Sequence, residues 1–163
     1  MENIKKAYIA GGCFWGMEEL FRVRPGVKDT TVGYIGGQND NPTYENHPGH
    51  AEGIEIVYDA NETSYEELLD YFFRIHDPST VDQQGNDIGS SYRSAIFAQN
   101  EQEKNDAVQI IDIVDNSHRW SSKVVTTLEP FTKFWPAEDY HQDYLLKKPN
   151  GYTCHFERFG TFL

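Results

Sequence analysis

The residue best placed to do chemistry is Cys13, in the stretch "IAGGCFWGMEELF" over residues 9–21. An apolar run ends in Gly11 and Gly12, the thiol follows, and a helical pattern begins at Phe14. A helix starting there puts Cys13 at its N-cap, where the first backbone N–H groups have no intrahelical partner. A thiolate at that end gains about 0.3–1 kcal/mol from the helix dipole, less than one pKa unit. From an ordinary thiol pKa of about 8.5, the thiolate fraction at neutral pH rises from a few per cent to roughly 10–20 per cent. Gly11 and Gly12 permit the tight turn and close approach of another molecule. The competing reading is a small buried core cysteine. Phe14 and Trp15 lie about 100° apart on the helix and cannot both enter one core. At least one faces the thiol's side, where the pair can wall a small apolar pocket.

The elements that must hold this corner are legible along the chain. Residues 4–10 read as a strand, and 14–22 as a helix with Phe14, Met17, Leu20 and Phe21 on one side. Residues 27–35 read as a second strand, and a long polar loop leads to a third at 52–58. Ser64 and Glu67 form a capping box for a helix over 65–76 with a stripe of Leu68, Leu69, Phe72 and Phe73. A turn-rich loop precedes a fourth strand at 92–98, and Asn100 caps a helix bearing Ala107, Ile110, Ile111 and Val114. A fifth strand is expected near 123–129 and a short helix near 137–147, followed by an irregular C-terminal tail. The order predicts an α+β fold: a two-layer sandwich with a ferredoxin-like βαββαβ core, a mainly antiparallel sheet and helices packed on it.

The chain of 163 residues is expected to form a single domain over 1–163. Its two cysteines do not make a secreted disulfide framework, and a cysteine pair in the expected cytoplasmic setting points to catalysis. A formal net charge of −12 disfavours nucleic acid and anionic membrane surfaces as partners, and a monomer is expected.

The segment "GGCFWG" resembles the signature of the class A peptide methionine sulfoxide reductases. The similarity extends, in the family's order, through "GYIGG", "NPTYE", "GHAEGIEIVYD", "HDP", "GNDIGSSYRSAIF", "FWPAEDYHQDYL" and "NGYTCHF". The resemblance implies that Cys13 attacks the sulfoxide sulfur and that Phe14 and Trp15 hold the substrate methyl group. It implies that Glu52 of "GHAE" is the acid, that Tyr44 and Tyr92 donate to the sulfoxide oxygen, and that Asp87 belongs to the same site. It further implies the S epimer of methionine sulfoxide, free or in peptides, as substrate, no bound cofactor, and thioredoxin as external reductant.

The residues themselves test part of this. Glu52 shares strand parity with Ile54, Ile56 and Tyr58, so it projects to the apolar face, where a carboxyl tends to keep its proton. A glutamate turned to solvent at a frayed strand end is the competing reading. A thiolate and a carboxylate about 6 Å apart repel by roughly 3 kcal/mol at an effective dielectric near 20, more than the helix dipole supplies. The two groups are therefore expected to hold one proton as a pair, thiolate at Cys13 and neutral acid at Glu52. Attack leaves a sulfenic acid on Cys13. Cys154, the only other cysteine, is then the resolving thiol if recycling is internal, carried by a tail expected to be mobile enough to swing in. Some family members carry two recycling cysteines in a longer glycine-rich tail; this chain has one.

The six histidines show no zinc spacing. A histidine acting as base on Cys13, another thiol-dependent redox enzyme, and a thiol redox-sensing module stand as alternatives.

Overall fold

The structure, a computed structural model, describes residues 2–163. Eight strands and four α-helices follow one another as β1 (Ile4–Gly11), α1 (Phe14–Arg22), β2 (Val27–Ile35), β3 (Ala51–Asp59), α2 (Tyr65–Ile75), β4 (Gln83–Gln84), β5 (Asp87–Ile88), β6 (Ser94–Ala98), α3 (Glu101–Asn116), β7 (Thr127–Pro130), β8 (Phe134–Pro136) and α4 (Tyr144–Lys147). Six strands form one sheet in the order β7-β6-β1-β3-β2-β8, and β4 and β5 pair as a separate small ribbon. The four expected core strands lie as fourth, first, third, second, all antiparallel. Two strands absent from the expected core widen the sheet: β7, parallel to β6, and β8, antiparallel to β2.

Side-chain alternation divides the sheet cleanly. Ala7, Ile9, Ile54, Ile56 and Ile96 face the helices and pack with Met17 and Phe21 of α1, Leu68, Phe72 and Phe73 of α2, and Ile110 and Val114 of α3. The opposite face carries Tyr8, Ala10, Ile35, Ala51 and Phe97, covered by Phe131 and Phe134 from the β7–β8 region. Helix starts follow the capping chemistry of the sequence: Ser64 accepts from the Glu67 N–H, and Asn100 from the Glu103 N–H. Among the described residues, no helix is long and apolar enough to cross a membrane.

Three boundaries differ from expectation. The fourth core strand starts at Ser94 because Ser90–Tyr92 form a 3₁₀ turn, and the fifth is confined to Thr127–Pro130. The helix expected near 137–147 is broken by Asp143, which is left-handed at φ 52° and gives its backbone N–H to buried Glu18 at 2.7 Å. A 3₁₀ turn at Asp139–His141 and the single turn of α4 are what is left of it. The tail after α4 has no helix or strand, as expected, yet it is tied down. His155 bonds the Gly11 carbonyl, the Arg158 N–H bonds the Arg74 carbonyl at 2.8 Å, and the Phe162 N–H bonds Asp70 at 2.6 Å. A freely swinging tail is not what the chain builds.

Candidate active site

Strand β1 delivers the chain to the glycine corner, and Gly12 adopts φ +99°, a conformation that L side chains rarely adopt. A Cβ at Gly12 would lie 2.7 Å from the Gln84 side chain, so this glycine serves both the turn and a close approach. Gln84 is itself clamped, accepting from the Asp77 N–H at 2.9 Å and donating to the Asp77 carbonyl at 2.8 Å. Cys13 follows as the N-cap of α1, 7 % exposed, without a side-chain capping bond.

Beneath it stands Glu52, the register partner of Tyr34 on the helix-facing side of β3 and 2 % exposed. Its Oε1 accepts the Phe14 N–H at 3.2 Å, so the acid occupies a donor that the helix start leaves unpaired. Burial pushes the Glu52 carboxyl up to about 8; the Phe14 N–H opposes this and the charge of Asp87 adds to it. Burial likewise raises the Cys13 thiol, followed by the charge of Glu52, while the Trp15 N–H pulls the other way. The expected helix-end activation is therefore outweighed, because closing the corner removes more water than the dipole replaces. Burial thus favours the protonated form of each group.

Tyr44 and Tyr92 arrive from two loops, one before β3 and one in the 3₁₀ turn before β6, and their side chains interact with each other. Both phenols are raised, first by burial and then by the charge of Glu52, which locates them within its field. Tyr44 is 38 % exposed. Asp87, on β5, adds its charge to Cys13, Glu52, Tyr44 and Tyr92, accepts the Tyr152 hydroxyl at 3.1 Å and lies 4.0 Å from the Cys154 sulfur. Phe14 is 1 % exposed and packs on Tyr34 and His141, so it is largely a core ring. Trp15 is half-buried, stacks on Tyr144 at 3.8 Å and donates Nε1–H to His141 Nδ1 at 3.0 Å. Cys154 is half-buried, and both it and the buried Cys13 are free thiols. It rests on the β4–β5 turn, where a Cβ at Gly85 would lie 3.2 Å from its own. All eight residues singled out from the sequence thus belong to one neighbourhood.

Sequence reasoning missed the supports. Glu138 accepts the Tyr34 hydroxyl at 2.8 Å and the Tyr44 N–H at 3.0 Å, fixing the loop that carries Tyr44. His47 stacks on Tyr34 and bonds Thr43 and Ser91, joining the two tyrosine loops. His141 is 1 % exposed, with Nδ1 taken by Trp15 and no protein partner for Nε2. These residues sit in irregular segments, where no periodicity signals them; the pairing of an acid with "YHQ" at 138–142 was the only local hint. Among the described residues, no imidazole is hydrogen-bonded to the Cys13 sulfur, and no cluster of three or more histidines, cysteines or acids suits a metal ion.

The chain matches, over residues 5–160, the family described as peptide methionine sulfoxide reductase. It is 58 % identical over 158 residues to the peptide methionine sulfoxide reductase MsrA of Nocardia farcinica, covering 97 % of this chain and 93 % of the relative. The crystal structure of Mxr1 from Saccharomyces cerevisiae in reduced form superposes with a TM-score of 0.89 at 35 % identity, over 96 % of this chain and 93 % of the other. Mxr1 in complex with Trx2 superposes at 0.68 with 28 % identity, over 96 % and 91 %. An acid buried against the turn that carries a lone thiol, on this fold and with this sequence, leads to one conclusion: the chain belongs to the peptide methionine sulfoxide reductase A family and is an oxidoreductase.

Proposed function

We propose that the protein reduces the S epimer of methionine sulfoxide, free or in peptides, with Cys13 as nucleophile and Glu52 as proton donor. The observation that carries this is Glu52: a buried carboxyl, raised to about 8 and bonded to the residue after Cys13, is a neutral acid beside a nucleophile at physiological pH. As the Cys13 sulfur attacks the sulfoxide sulfur, Glu52 gives its proton to the oxygen, and Tyr44 and Tyr92 donate hydrogen bonds without adding charge. The hydroxyl passes to Cys13, methionine leaves, and the former thiol proton returns to Glu52. One thiol and one sulfoxide become one sulfenic acid and one thioether, with no proton unaccounted for. Trp15, with the edge of Phe14, meets the substrate methyl group, and Asp87 holds the substrate's polar end.

Cys154 then condenses with the sulfenic acid, giving a Cys13–Cys154 disulfide and water, and thioredoxin reduces that bond. The complex of the structural relative Mxr1 with Trx2 supports this reductant. The two carboxyls and buried thiol favour this reading over a redox sensor, which needs no proton donor. A turnover assay with separated S and R epimers and thioredoxin tests it. Consumption of the S epimer alone is expected. Faster consumption of peroxide than of either epimer would overturn it in favour of a thiol peroxidase.

A further inference from the structure

One buried nucleophile-adjacent group is unused by this reaction. His155, 7 % exposed, follows the resolving cysteine and reaches across to the glycine corner, where Nε2 meets the Gly11 carbonyl at 2.6 Å. A carbonyl only accepts, so Nε2 carries the hydrogen. Burial holds the ring well below the ordinary imidazole range, at about 4, so it is neutral and Nδ1 keeps its lone pair. That nitrogen lies 3.9 Å from the Cys154 sulfur. The imidazole fits a slot left by two glycines: a Cβ on Gly16 would lie 2.3 Å from Nδ1, and one on Gly12 would lie 3.2 Å from Nε2. The His155 backbone N–H donates to Thr153 Oγ1 at 3.1 Å.

One hydrogen bond links the two cysteine segments: Cys154 adjoins His155, whose Nε2–H donates to the carbonyl of Gly11, two residues before Cys13. We propose that His155 is a positioning residue for disulfide closure, its bond to the Gly11 carbonyl registering the tail so that Cys154 is presented to the oxidised Cys13. The proposal rests on the reading of Cys154 as resolving thiol. In the step concerned, the Cys154 sulfur forms an S–S bond with Cys13 as the S–O bond of the sulfenic acid breaks. The thiol proton leaves with the hydroxyl as water, Cys154 is oxidised and the sulfenic sulfur is reduced. Disulfide formation tolerates only a narrow Cα separation, so a tail released from the corner spends less time in the productive arrangement.

The test is a single-turnover comparison of H155Q and H155N, both small, polar and able to accept the slot. Glutamine places its amide nitrogen where Nε2 stands and keeps the bond to Gly11; asparagine is one carbon shorter and cannot reach it. Methionine release reports the first step, and loss of the second titratable thiol, with dimedone trapping of the sulfenic acid, reports closure. The first step is expected to stay within about twofold in both variants, while closure slows at least tenfold in H155N and stays within about threefold in H155Q, in line with one lost hydrogen bond. Equal closure rates in the two variants would overturn the proposal. So would an H155N effect as large on methionine release as on closure. Thioredoxin-driven turnover surviving in C154S would instead remove Cys154 from the cycle, and the proposal with it, whatever the His155 variants do.

Discussion

Glu52 is where a cost in folding becomes a capability in chemistry. Its folded pKa of about 8 exceeds the ordinary value of 4.5, so the native state binds more protons than the unfolded chain between those limits. Stability contributed at this position is fully present below pH 4.5 and is lost as pH rises through about 8. Glutamine retains an acceptor for the Phe14 N–H and never ionises. In urea denaturation E52Q is accordingly expected to be more stable than the wild type at pH 9, by on the order of a few kcal/mol, and to show no such advantage at pH 5. The same variant should lose at least a hundredfold in single-turnover methionine formation, and wild-type kcat/KM should fall as pH rises through about 8. Strand parity was enough to put this carboxyl on the apolar face. The state of the Cys13 thiol was not legible in the same way, because a helix start activates a sulfur only while water or donors surround it. The degree of burial is set by Gln84, Tyr44 and the tail, all distant in sequence.

At the level of elements, α1 is gripped at its first turn by the tail. Gly16 is the point of contact: in most helices alanine there adds about 1 kcal/mol of stability, but here its methyl group would meet His155 Nδ1 at 2.3 Å and Thr153 Oγ1 at 2.5 Å. The clash outweighs the propensity, so G16A should lower the free energy of unfolding by roughly 1–3 kcal/mol in urea denaturation, against the trend for exposed helical glycines. The long helices and strands were legible because each shows its apolar stripe over nine or more residues: α1, α2, β2 and β3 lie within a residue of expectation, and α3 starts directly after Asn100, the cap expected for it. The pieces that escaped are too short to carry a period, namely β4 and β5 at two residues each and β8 at three. The last helix failed for another reason: the Asp143 N–H is worth more to the buried Glu18 carboxylate than to a helical carbonyl.

Across the whole molecule, a charge of −12 on 163 residues leaves the surface self-repelling, relieved only locally by pairs such as Arg93–Glu129 and Arg74–Glu157. Melting temperature should rise by a few degrees between 10 and 200 mM monovalent salt as repulsion is screened, an effect that scanning calorimetry checks. The tail could be seen in the sequence as irregular but not as anchored, since its ties run to Gly11, Arg74 and Asp70, backbone and acid partners with no periodic signature. At the corner itself, the start of α1 has fewer N–H groups left for a visitor. The first of α1, that of Phe14, is already engaged by the Glu52 carboxyl. Helix starts elsewhere are ready-made cradles for phosphate or sulfate; this one gives its first N–H to Glu52, and the charge of Asp87 reaches both Cys13 and Glu52. A full oxoanion meets repulsion without a receptor. On the mechanism proposed above, a neutral, strongly dipolar oxygen would meet phenols and an un-ionised acid, a preference set before any side chain recognises methionine.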